Sequence, residues 1–226
     1  MPVKFGNFDS PKPTRKFIER FYPPGDPLMK RTLPLAVDGS PANRPGFHVL
    51  DQAQALDNAV VFTHAQVCDR ALVQDDAAVF DHARISGKAS IENMATVSGM
   101  AQVRDLAVVS EDAAILDNAQ VYNDALVTDF ANVSGNAQVY GKATVQDHAR
   151  VYGQAHVYGI ALVSGQVYGQ AHVSGQAQIG RKARIYGTAR IYDTAVILGG
   201  DWFEGLITEG RWMAPGVPFS DGKSST

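Results

Sequence analysis

Six histidines and one cysteine are the side chains of this 226-residue chain best suited to metal binding, proton transfer or nucleophilic attack. The histidines are His48, His64, His82, His148, His156 and His172; the cysteine is Cys68. His156 and His172 are the candidates for a general base, and His64 and His82 for a metal site, with Asp81 or Asp147 needed to complete it, because two imidazoles alone make a poor site. Exposed surface histidines are the plainer reading of both pairs. No nucleophile–base pair and no phosphate-binding glycine loop is visible. Whether any of these groups meet depends on the elements that carry them.

Those elements follow a beat of six. Every sixth residue from Ala53 to Ala161 is alanine, and the beat resumes from Ala171 to Ala195. Two residues after each alanine stands Val or Ile, with Ala55 the one exception. The unit reads Ala-x-Val-[Tyr/Ser]-[Gly/Asp]-x, as in AQVYGK at 137–142. A small residue at position 1 and a β-branched residue at position 3 share one face of a short strand. Position 5 is Gly, Asp or Asn in almost every unit, residue types that tolerate the left-handed backbone a corner requires. A fixed short period is the mark of a solenoid. No proline falls between Pro45 and Pro215, which suits continuous strand pairing.

This pattern resembles the hexapeptide-repeat, left-handed parallel β-helix family, over residues 47–200. The resemblance implies an all-β fold: a triangular prism with three hexads per 18-residue coil and about eight coils at a strand spacing of ~4.8 Å. Handedness comes from the resemblance, since parallel crossovers are otherwise right-handed. Many members of the family are acyltransferases using acetyl-CoA, with a loop that interrupts the coils and a histidine base between subunits; this chain has no such loop. The γ-class carbonic anhydrases share the fold and bind zinc through three histidines, two of them separated by four residues. No pair here has that separation. Near-identical hexads also resemble uncharacterised repeat proteins of bacteria and bacteriophages.

A coil of 18 sorts position 2 onto three sides. The first side carries Leu72, Val108, Leu126, Leu162 and Val196, an aliphatic stripe that something must cover. A homotrimer is the leading explanation, and a self-docked arm or tail the other. The second side runs from small residues to Arg150 and Arg184; the third is a ladder of Gln66, Gln102, Gln120 and Gln138 that ends in His156 and His172. The coil also stacks His64 on His82 and His156 on His172. Tyr122, Tyr140 and Tyr158 form one tyrosine column, and Tyr152, Tyr168 and Tyr186 another, either as packing ladders or as a platform for sugar rings or a partner. Met94, Met100 and Leu106 ring one coil and are interface candidates. Cys68 falls at an outward corner with no histidine in its hexad. One coil is two residues short at 166–170, which places Gly165 in an alanine slot before Val167 and leaves a tolerated deletion or a notch.

The flanks differ from the body. A proline-rich arm, 1–46, contains a predicted helix from Thr14 to Tyr22, and an aromatic tail, 201–226, reads as a cap for the last coil. The arm has eight Lys/Arg against four Asp/Glu, and residues 51–129 have 13 acids against four bases. An acidic body without a groove argues against nucleic acid. A single cysteine excludes an intramolecular disulfide. No signal peptide or membrane span is visible, so the cytoplasm, or a virion assembled there, is the expected setting. The expected function is a non-enzymatic structural scaffold without cofactor, as in a phage tail or virion. The alternative is an acyltransferase using acetyl-CoA, and a metal enzyme of γ-carbonic-anhydrase type comes third.

Overall fold

The computed structural model describes residues 48–61, 64–215 and 217–218. The predicted helix at Thr14–Tyr22 lies outside them. The described residues form an all-β parallel solenoid of about nine turns. Each coil has three two-residue strands, whose first residue faces outward and whose second is buried. No helix among the described residues is long and apolar enough to cross a membrane.

The register follows the period. Gln54 pairs with Leu72, Leu72 with Ser90, and Val108 with Leu126 on the first side. Ala78 pairs with Thr96 on the second. On the third, ten strands stack in one sheet, with Gln102 on Gln120 and Gln138 on His156. All three sides therefore carry the residues expected of them.

The core repeats in the same way. The alanines at position 1 and the Val or Ile at position 3 are buried, most of them completely. Position 1 lies just inside a corner, and its amide closes the turn by donating to the carbonyl of position 4, as Ala107 does to Arg104 at 3.3 Å. The residue between, at position 5, has φ between +52° and +74° at every described hexad except at Gly165, Arg181 and Gly199. Glu111 is the one residue other than Gly, Asp or Asn there, at φ +58°.

All three exceptions sit at one corner, between the first and second sides, in successive coils. The short coil pairs Leu162 with Gln178, Arg150 with Gln166 and His156 with His172, a step of 16 instead of 18. Gly165 does take the alanine slot: its carbonyl accepts from Arg150 N, as the alanine carbonyls do elsewhere. In the next coil the corner opens into one continuous strand, Gln178–Ile185. Pairing then runs on past residue 200. The strand Val196–Trp202 lies beside it, Leu206–Ile207 adds to the third side, and Arg211–Ala214 pairs with Val196–Ile197 before meeting 217–218 antiparallel. So the aromatic tail supplies the last coil as well as its cover. Trp202 is buried with the core, and Trp212 meets it edge-on at 6.2 Å.

Candidate functional site

The corners carry the most regular polar chemistry of the molecule. At the described left-handed corners position 5 donates no amide to a neighbouring backbone carbonyl, and at seven of them an aspartate of the preceding coil takes that amide. Asp69 accepts from Gly87 N at 2.8 Å, Asp75 from Asn93 N at 3.0 Å, Asp105 from Asn123 N at 3.1 Å, Asp117 from Gly135 N at 2.9 Å and Asp129 from Asp147 N at 2.9 Å. A left-handed aspartate thus caps the coil that follows. This accounts for much of the acidic first half of the body: seven of its 13 acids in 51–129 are backbone caps. The signal in the sequence is Asp at position 5 recurring 18 residues before Gly, Asn or Asp.

Asp147 is the last of this row, and the corner it would cap is the one deleted. Its carboxylate turns instead to Arg181, two coils on, whose guanidinium donates Nη2 to Oδ1 at 2.6 Å and Nε to Oδ2 at 3.0 Å. Arg181, Ser164 and the nearby His148 hold the Asp147 carboxyl below the usual carboxylate range. The notch left by the two missing residues is therefore bridged by an ion pair.

The histidine pairs stack as the period implies. The rings of His156 and His172 are 4.8 Å apart and 2° from parallel, and those of His64 and His82 are 4.9 Å apart and 17° from parallel. Two zinc–nitrogen bonds of about 2.0–2.1 Å span at most ~4.2 Å. Stacked imidazoles aim their in-plane lone pairs side by side, so neither pair chelates as it stands. Among the described residues no group of three or more His, Cys, Asp or Glu is placed to hold a metal ion. His156 and His172 belong to the third side, whereas the shortened corner lies between the first and second. Burial, then the neighbouring His156 and Arg190, lower the His172 pKa from its ordinary value. Cys68, expected at an outward corner, is buried, with its Sγ 3.6 Å from the Ile85 carbonyl; burial pushes its thiol pKa up. It is not an activated nucleophile.

Both tyrosine columns form. Tyr122, Tyr140 and Tyr158 stack at 4.9 Å with planes 2–3° apart; Tyr152, Tyr168 and Tyr186 stack at 4.7 and 4.9 Å. Arg104 lies 4.0 Å over the Tyr122 ring. The rings spend their faces on one another, so each column offers edges and hydroxyls to solvent. Burial raises the Tyr140 hydroxyl pKa, and the neighbouring tyrosines add to it.

The apolar candidates fall into two groups. Leu72, Val108, Leu126, Leu162 and Val196 are half-buried, each between the side chains one coil above and below. Met94, Met100 and Leu106 are 45%, 63% and 53% exposed. They stand at three different corners of the prism, so no single flat partner meets all three. Phe130, stacked on His148 at 5.0 Å, and Ile160 are further exposed apolar corners that the sequence reading passed over. Position 6 falling outward at a corner was the signal available for them.

Unbroken coils, an aliphatic-and-alanine interior and ladders on every side define a parallel β-solenoid repeat protein. A family model described as the YdcK beta solenoid repeat matches residues 137–153, about one coil of this chain. No curated protein matches the chain, and no solved structure does.

Proposed function

We propose that this protein is a non-enzymatic scaffold: a rigid solenoid whose outward ladders engage other chains, including copies of itself. One observation carries the reading. From residue 64 to 198 the coils follow one another without an inserted loop, so side chains stand in flat rows rather than around a cleft. Function is argued from the site and not from the fold, and rows of this kind suit broad contact. The aliphatic row from Leu72 to Val196 is the face best suited to a homotrimer. A component of a phage tail or virion, or a cytoplasmic scaffold, fits the same description. Light scattering on the purified chain tests self-association: three times the chain mass of 24.3 kDa is expected, and a strict monomer at high concentration refutes the trimer.

The second reading is an acyltransferase with His156 or His172 as base; burial lowers the His172 pKa from its ordinary value. Acetyl-CoA would be its donor. A thermal shift at millimolar acetyl-CoA separates the two readings, because a ligand well above its Kd raises the midpoint. The scaffold reading expects no shift, and a clear one overturns it.

A further inference from the structure

Between Asp147 and Asp193 the chain has no acidic residue at all, yet it carries Arg150, Arg181, Lys182, Arg184 and Arg190, with His156 and His172 among them. The fold gathers these into three successive coils. Two of the arginines are paired, Arg181 with Asp147 and Arg184 with Asp201. Arg150, Lys182 and Arg190 are exposed, and none has a carboxylate at ion-pair distance among the described residues. On the third side His156, His172 and Arg190 are consecutive in register. On the second side Arg150, Gln166 and Arg184 are.

We propose that the vertex joining the second and third sides over Arg150 to Arg190 binds a linear acidic polysaccharide, and that protonation of His172 strengthens the binding. Charge complementarity is the first argument: the vertex is cationic, its one carboxylate in register being Asp201, which Arg184 neutralises, while the corners of the N-terminal half are acidic. Geometry is the second. The rows advance 4.7–4.9 Å per coil, a step close to one extended sugar unit, so a straight polymer laid along the axis meets a cation or a hydrogen-bonding group at every coil. Gln154, Gln166 and Gln170 and the tyrosine hydroxyls stand among the cations and match sugar hydroxyls. The third argument selects polysaccharide over single-stranded nucleic acid, which depends on bases stacking on open aromatic faces. Here the faces of Tyr152, Tyr168 and Tyr186 are largely taken by one another, and Phe203 closes on Tyr186 at 6.2 Å.

His172 sets the pH response. His156 faces Gln138 and His172 along the row and meets Tyr140 edge-on at 6.5 Å; His172 faces His156 and Arg190. Neither faces a carboxylate on those neighbours. Protonating His172 sets a second cation one coil from Arg190, a state disfavoured alone and favoured against an anionic polymer. Binding therefore takes up protons and tightens as pH falls.

This inference deepens the scaffold reading by naming a partner. Its test uses the full chain with polygalacturonate, neutral dextran and oligodeoxythymidylate, by titration calorimetry in low salt at pH 7.5 and 5.5. The carboxylates of polygalacturonate stay ionised at both. We expect polygalacturonate to bind and dextran not to, with affinity about tenfold higher at pH 5.5, since one pKa unit of proton uptake is worth a factor of ten. R150Q/R190Q should abolish binding. H172Q should keep the pH 7.5 affinity and lose the increase, and its thermal midpoint reports that it is folded. No binding to polygalacturonate, equal binding to dextran, tighter binding to the oligonucleotide, or an unchanged response in both variants overturns the proposal. A chain that ignores the polymer yet self-associates and ignores acetyl-CoA leaves the scaffold reading standing.

Discussion

Gly165→Ala is the sharpest test of how the short coil is built. The position is an alanine slot by register, and alanine fills that slot in every other hexad, so the repeat pattern alone expects the change to be harmless. The structure expects otherwise. A Cβ built on Gly165 would lie 2.4 Å from the Gly180 carbonyl oxygen, 2.6 Å from that of Ala183 and 3.2 Å from Ile179 Cγ2. With two residues missing, the strand Gln178–Ile185 turns the corner directly against it. Overpacking costs roughly 1–3 kcal/mol, and obstacles that are backbone place this case near the upper end. Replacing Gly by Ala returns about 0.4–1 kcal/mol through the unfolded chain. The net loss is about 2 kcal/mol, and at roughly 2–4 °C per kcal/mol for a chain of this size the thermal midpoint falls by about 4–8 °C. Far-UV circular dichroism of the two proteins, melted side by side, measures it. A midpoint equal to or above that of the parent refutes the geometry assigned to the shortened corner.

Asp117→Ala removes the cap on Gly135 N and leaves a left-handed backbone without the residue type that tolerates it; a loss of about 1–3 kcal/mol is expected, while Asp117→Asn, which keeps an accepting oxygen, stays close to the parent in urea unfolding. Glu111→Gly relieves left-handed strain of about 1–2 kcal/mol at a residue with a Cβ, against about 0.4–1 kcal/mol of unfolded-chain entropy and an exposed contact to Asn93, and should raise the melting midpoint slightly. Acid titration of stability has a predictable sign. Asp147 and His172 both have folded pKa values below their ordinary ones, so each contributes stability that is present above its ordinary pKa and is lost as pH falls through the folded value. His172→Gln should flatten the loss that begins below the ordinary histidine pKa, and Asp147→Asn the later one in the carboxylate range, as read from urea midpoints against pH.

Much of the molecule was legible before any coordinate. The alanine beat named the buried positions, position 5 named the corners, and a step of 18 put Tyr122 over Tyr140 and His156 over His172. These features repeat, so a small local preference is restated at every coil and adds up to one register. The tail was legible only in part: Trp202 and Trp212 showed it to be apolar, but its strand pairing with Gln178–Ile185 and Val196–Ile197 has no period to betray it.

What tertiary structure alone decided lies in directions and in departures from the beat. Histidines one coil apart could share a metal by residue spacing, and fail to because their stacked rings, 4.8 Å apart, aim their lone pairs side by side, which a residue spacing does not encode. Tyrosine columns could be open platforms, and are closed because each ring covers the next. Aspartate at a corner could be a mere tolerance of left-handed backbone, and is also the acceptor for an amide 18 residues later. The deletion at 166–170 could be an open notch, and is bridged because Arg181 is long enough to reach Asp147 across it. A periodic sequence specifies where each side chain starts; the neighbours it finds one and two coils away settle where it points and what it can do.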